Sequence, residues 1–279
     1  MAFTTLVSVA DLAPHLNDPD WIVFDCRHDL TDTGIGRRAY AQSHIPGARF
    51  LHLDDDLSGP HPGANGRHPL PNPENFRARL AALGMANDKQ VVAYDASGGY
   101  YAARLWWMLR WVGHGGVAVL DGGWEAWLAA GLPVTSQLPA IKPGAFSGAA
   151  HDYTVDARFI VTQLGQSRVR LIDARSPDRF RGENETLDPV GGHIPGAANR
   201  FFKNNLAADG CFKPPAELKR EFSALLDALP PTQVVHQCGS GVTACHNLLA
   251  MEIAGLHGSK LYPGSWSEWC SDPQRPVAR

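Results

Sequence analysis

Apolar residues along this chain fall into two kinds of run. Short β-rich clusters occupy Ile22–Asp25, Val91–Tyr94 and Val117–Leu120, and again Val169–Asp173, Gln233–Gln237 and Ser259–Tyr262. Between them lie longer stretches in which apolar positions return at helical spacing, as in Leu218, Phe222, Leu225, Leu226 and Leu229. These patterns predict helices over Phe76–Leu83, Tyr100–Val112 and Trp124–Ala130, then over Ala216–Leu229, Val242–Ala254 and from Trp266–Trp269 onward. Strands that alternate with helices predict an α/β fold, with a parallel sheet covered by helices on both faces.

The pattern occurs twice. Val23-Phe24-Asp25-Cys26-Arg27 is echoed by Leu171-Ile172-Asp173-Ala174-Arg175, and Ser43-His44-Ile45-Pro46-Gly47-Ala48 by Gly192-His193-Ile194-Pro195-Gly196-Ala197. Val91–Asp95 aligns with Val234–Cys238, and Gly122-Gly123-Trp124 with Gly264-Ser265-Trp266. Four matches in one order indicate a tandem duplication. Residues 132–148 hold Pro133, Pro139 and Pro143 with Gly144 and Gly148, a composition that resists regular structure and reads as a linker. The expected organisation is therefore a first domain over 1–131, a linker over 132–148 and a second domain over 149–279.

Composition narrows the function. The 279 residues are enough for two domains of ordinary size. A net charge of −3 without a basic stripe argues against nucleic acid as a partner. No apolar run of about 18 residues points to a membrane span, and the N-terminus does not read as a secretory signal, so the expected compartment is the cytoplasm. Five scattered cysteines without a Cys-x-x-Cys pair fit neither a disulfide framework nor a zinc site built on such a pair.

One of those cysteines stands out. Cys238 ends a strand and opens the segment Cys238-Gly239-Ser240-Gly241-Val242-Thr243 before a helix. In doubly wound sheets, chemistry collects at the carboxyl ends of strands. Glycines there let successive N–H groups turn inward into an anion-binding nest, and the helix N-terminus adds positive potential. A thiol in that cradle is expected to be acidified and to act as a nucleophile. Cys245 shares a helical stripe with Val242 and Leu249 and reads as core. Cys26, Cys211 and Cys270 lack the cradle and are given no role. His246 is read as a helix-surface histidine, and Arg175 as a structural ion-pair partner of Asp173 or the linker. At the duplicate position stands Asp95, which cannot carry persulfide sulfur, so the first domain is expected to be catalytically silent.

Taken together, the two His-Ile-Pro-Gly segments, Trp106-Trp107, Leu120-Asp121-Gly122-Gly123, Gly264-Ser265-Trp266 and the Cys238 loop resemble the tandem rhodanese superfamily over essentially the whole chain. The loop itself looks like that of 3-mercaptopyruvate sulfurtransferases. Thiosulfate enzymes of animal type carry arginine and lysine where this chain has Gly239 and Ser240. The resemblance implies a sulfurtransferase that holds a persulfide on Cys238, takes sulfur from 3-mercaptopyruvate or, alternatively, thiosulfate, and passes it to cyanide, a small thiol or a thioredoxin-like acceptor. It implies no metal and no organic cofactor.

Residue by residue, the resemblance makes Cys238, Ser240 and Asp54 catalytic, with the neighbouring Asp55 and Asp56 leaving the register of the aspartate open. It places His68 near the substrate. The motif Arg179-Phe180-Arg181-Gly182 makes Arg179 the substrate-binding arginine with Arg181 close by. A further arginine of several mercaptopyruvate enzymes has no match in Glu183-Asn184-Glu185-Thr186-Leu187-Asp188-Pro189. Two other classes fit less well. A protein phosphatase with a Cys-x5-Arg loop needs an arginine where this chain has Ala244, and a non-catalytic adaptor has no use for a cysteine kept in an intact cradle.

Overall fold

The computed structural model describes residues 2–61 and 63–279. The chain forms two compact units, and neither is one continuous stretch. The first contains residues 1–59, 70–152 and 208–211; the second contains 60–69, 153–207 and 212–279. The segment Pro60–Pro69 thus leaves the first repeat and belongs to the unit that holds Cys238.

The first unit carries strands β1 (Leu6–Val7), β2 (Trp21–Asp25), β3 (Arg49–Phe50), β4 (Gln90–Tyr94) and β5 (Val117–Leu120). Its helices are α1 (Val9–Leu12), α2 (Ile35–Gln42), α3 (Pro73–Ala82), α4 (Tyr100–Trp111) and α5 (Gly123–Ala129). The sheet order is β1-β5-β4-β2-β3, with every neighbour parallel. Both faces are covered. Val23, Val92, Tyr94, Ala118 and Leu120 pack with Leu12 of α1 and Trp124 and Trp127 of α5, while α4 lies against β4 and β5. Burying both faces accounts for strands that read as nearly continuous apolar runs.

The second unit has helices α6 (Ala157–Gln163), α7 (Pro177–Phe180), α8 (Pro215–Leu226), α9 (Ala244–Ile253) and α10 (Ser265–Trp269). Strands β6 (Arg170–Asp173), β7 (Ala198–Asn199), β8 (Val234–Gln237) and β9 (Lys260–Leu261) form a parallel sheet ordered β7-β6-β8-β9. One face packs Leu171 and Val235 with Ala157 and Ile160 of α6 and Trp266 and Trp269 of α10. The other face is covered by α9, which in turn packs on α8.

The duplication is legible down to single bonds. Arg27 chelates Asp25, reaches Ser43 O at 2.6 Å and stacks over Trp124 at 4.4 Å; Arg175 chelates Asp173, reaches Gly192 O at 2.7 Å and stacks over Trp266 at 4.7 Å. The indole N–H groups of Trp127 and Trp269 donate to Pro133 O and Pro276 O. In each repeat this network ties the strand end to the His-Ile-Pro-Gly turn, which accounts for the survival of both motifs.

The chief differences from the sequence pattern lie at element ends. The last helix before β8 stops at Leu226 because Asp227 and Ala228 take φ of 50° and 65°. The helix after Cys238 starts at Ala244 rather than Val242, so the loop is longer than expected. His246 is fully buried rather than on a helix surface. Its ring stacks on Phe212 at 4.5 Å, and its Nδ1 lies 3.1 Å from Asn205 Nδ2.

Candidate active site

The site begins where β8 ends. Gln237 pairs with Asp173 in the parallel register, and the backbone turns out of the sheet at Cys238. Two contacts with the first turn of α10 hold that corner: the Cys238 N–H donates to Ser265 Oγ at 3.1 Å, and the Trp266 N–H donates to Cys238 O at 3.0 Å. The chain just ahead of that helix dictates glycine at 241. Its φ is +79°, and a Cβ there would stand 2.4 Å from Pro263 O. With that constraint met, the Gly241 N–H points at Cys238 Sγ from 3.2 Å. The thiol itself is 2% exposed. Gly241 thus supplies one N–H to the Cys238 thiol, and Val242 and Thr243 follow it before α9 begins at Ala244.

The first unit has a carboxylate at the matching position. Asp95, at the end of β4, is fully buried and accepts the N–H groups of Ser97, Gly99, Tyr101 and Ala102 at 2.7–2.9 Å. Burial pushes its carboxyl above the usual range even against those four donors. A carboxylate that takes four N–H groups thus stands in one repeat where the other has a thiol that takes one.

Ser240 and His68 come together. Both are buried, and His68 Nδ1 lies 2.7 Å from Ser240 Oγ. His68 reaches the loop because Pro60–Pro69 belongs to the second unit. Burial pushes the Cys26 thiol up, and pushes those of Cys211 and Cys270 up to about 11. Cys245 is fully buried on α9, as its stripe implied.

Arg179, at the end of α7, is placed beside the loop. A Cβ on Gly239 would lie 3.5 and 3.6 Å from its Nη2 and Nη1. Glu185 grips its guanidinium from Nε at 3.1 Å and Nη2 at 2.8 Å. Burial works against that carboxylate's charge, but Arg179 and two N–H donors hold Glu185 below its usual range. Arg181 does not join them. It is half exposed and forms a two-pronged pair with Glu183 at 2.7 Å on the surface. Arg175 keeps the structural role expected of it. Burial opposes its charge, yet Asp173 and Glu185, with a smaller contribution from Cys238, raise its pKa.

Asp54 lies in the first unit, in the turn that follows β3, with its side chain 40% exposed. It is also one of three groups there, with His28 and His52, whose ligand atoms lie within 4.8 Å of one another. His52 is a poor metal ligand in this arrangement. Its Nε2 faces Thr33 O at 2.8 Å, and its Nδ1 receives the N–H groups of Asp54 and Asp55.

Sequence reasoning passed over three residues that the fold brings to the loop. Asp188 is 3% exposed and pairs with both Arg67 and Arg179. Glu185 anchors Arg179 and touches Arg175. Arg67 lies nearer Gly239 than Arg179 does, with Nη2 2.9 Å from the same Cβ position. The signal that could have found them is the acidic pair Glu185 and Asp188, which needs cationic partners if it is buried.

The second unit is thus a parallel α/β sheet with a buried cysteine in a glycine-containing loop at the carboxyl end of β8. Comparison with known proteins gives it a family. The family model of the rhodanese-like domain matches residues 8–130 and 159–272. A probable 3-mercaptopyruvate sulfurtransferase of Pseudomonas aeruginosa is 50% identical over 281 residues, covering 100% of this chain and 99% of that protein. A putative thiosulfate sulfurtransferase of Mycobacterium tuberculosis is 39% identical, covering 98% and 96%. The solved 3-mercaptopyruvate sulfurtransferase from Leishmania major superposes with a TM-score of 0.86 at 31% identity, covering 98% of this chain and 75% of that one. The chain belongs to the rhodanese-like family, as a tandem-domain enzyme of its sulfurtransferase branch.

Proposed function

We propose that the chain moves sulfur from 3-mercaptopyruvate through a Cys238 persulfide to a thiol or cyanide. The observation that carries this reading is the Gly241 N–H on Cys238 Sγ in a loop where Ser240 meets His68 and Gly239 lies beside Arg179. The near relative named for that donor, alike over both full lengths, supports it.

The chemistry follows from the groups. The Cys238 thiolate attacks the donor's sulfur. A sulfur–sulfur bond forms and the carbon–sulfur bond breaks, leaving its electron pair on the carbon as the enolate of pyruvate. The proton of the donor thiol ends on that carbon, giving pyruvate. Ser240, bonded to His68, is positioned to carry it, and Asp54 is assigned to the same relay by resemblance. The terminal sulfur, now anionic, takes up the loop's N–H groups. In the second half, cyanide or a thiolate attacks that outer sulfur and restores the Cys238 thiolate, which is a ping-pong scheme. Arg179 receives the donor's carboxylate.

Thiosulfate, releasing sulfite, is the second reading, favoured by the relative from Mycobacterium tuberculosis. The acceptor is inferred to be a small thiol or a thioredoxin-like protein of a reducing compartment, in keeping with five free cysteines. Among the described residues, no helix is long and apolar enough to cross a membrane.

The test is thiocyanate formation with each donor, compared by kcat/KM, alongside Cys238→Ser. Preference for mercaptopyruvate with an inert variant is expected. Preference for thiosulfate would transfer the assignment to the second reading, and turnover in the variant would sink the persulfide mechanism.

A further inference from the structure

The turn 263–267 is gripped from two sides. On one side it holds the Cys238 loop, through Pro263 against Gly241 and Ser265 Oγ on the Cys238 N–H. On the other it holds residues 66–67. Gly66, at φ +85°, is pressed so closely that a Cβ would lie 2.6 Å from Gly264 O, and the Arg67 N–H donates to Ser267 Oγ at 3.1 Å. The backbone of Arg67 is therefore fixed relative to the cysteine loop by main-chain packing.

Its side chain is fixed as well. Nη1 pairs with Asp188 Oδ1, and the other carboxylate oxygen of Asp188 lies 3.4 Å from Arg179 Nη2. One buried carboxylate thus spaces two guanidinium groups. Each turns another nitrogen to the same place: Arg67 Nη2 and Arg179 Nη1 both border the empty side of Gly239, 2.9 and 3.6 Å from where its Cβ would be. Any side chain at 239 would fill the ground that both cations face.

We propose that Arg67 is the second cation of the donor site, gripping the carboxylate of 3-mercaptopyruvate together with Arg179, while Asp188 sets the spacing of the pair. This rests on the donor reading above. It supplies the arginine missing from residues 183–189, from a segment 121 positions away in the chain. One nitrogen from each of two guanidinium groups gives a carboxylate more directional binding than a single arginine nitrogen. The interaction is made equally with bound donor and with the transition state, so it belongs in KM rather than kcat.

The experiment compares the wild type with Arg67→Gln, reading steady-state kinetics with 3-mercaptopyruvate and the affinity of pyruvate for the Cys238→Ser background. Pyruvate serves as a carboxylate probe that needs no turnover. The expected result is a KM raised about tenfold or more and pyruvate affinity weakened by a similar factor, with kcat within about twofold, the loss of a charge-assisted bond. Arg67→Met keeps the apolar stem and carries the same comparison should the glutamine variant unfold. Unchanged KM and unchanged pyruvate affinity in a folded variant would overturn the proposal, as would a fall in kcat alone. Lack of mercaptopyruvate turnover in the wild type would sink the donor reading instead, and Arg67 would then stand or fall on pyruvate affinity.

Discussion

The ring of His68 meets the hydroxyl of Ser240 at 2.7 Å, with both side chains buried. In the proposed mechanism this hydroxyl, two positions after Cys238, carries the proton. Ser240→Ala should lower kcat with mercaptopyruvate by about a hundredfold, the usual scale for a positioned acid–base group. Rapid-quench measurement of pyruvate release in the first turnover checks it. A change in KM alone would mean that the pair only shapes the pocket.

Gly241 cannot accept a side chain. Alanine there meets Pro263 O and a left-handed backbone together. The strain costs about 1–2 kcal/mol for the backbone alone, and the displaced turn also carries Ser265 and, through Ser267, holds Arg67. Gly241→Ala should therefore lose activity well beyond its loss in thermal midpoint. Equal, small losses in both would show that the loop adapts.

Asp95 has a structural part in the first unit. Asp95→Ala leaves four buried N–H groups without their acceptor and should cost about 3 kcal/mol in denaturant unfolding. The pH dependence has a definite sign. A carboxyl raised on folding contributes stability at low pH that fades as pH rises from the ordinary 3.8 through the raised value. The wild type should thus weaken relative to Asp95→Asn as pH rises through that window, and parallel stability curves for the two would contradict it.

His236 gives the opposite slope. Complete burial between Phe222 and Met251 lowers its pKa to about 3, from an ordinary 6.5. The unfolded chain therefore takes up a proton that the folded one refuses. Stability should fall as pH drops below 6.5, by about 1.4 kcal/mol per pH unit relative to His236→Gln, until about 3 is reached. Urea titrations of both proteins over that range measure the difference.

Sequence alone determined the parts of this protein whose cause is local. Strand runs, helical stripes, each copy of the repeated motifs and the glycine loop after Cys238 are each written within a short stretch of chain, because apolar period and glycine conformational freedom act at short range. Arg179 was picked out by resemblance to a four-residue motif, and the fold sets it beside Gly239. The ends of helices were less legible: Asp227 and Ala228 adopt left-handed backbone that their side chains do not advertise. His246 was misjudged because an imidazole between Phe212 and Asn205 is satisfied by residues more than thirty positions away. Tertiary structure alone decided that Pro60–Pro69 packs with the second unit, that His68 serves Ser240, that Arg181 turns to Glu183, and that Asp188 sets Arg67 beside Arg179. Charge pairing is indifferent to distance along the chain, so no period or spacing encodes which arginine a buried carboxylate will meet. That choice is made when the fold removes both from water and leaves each the other as its nearest partner.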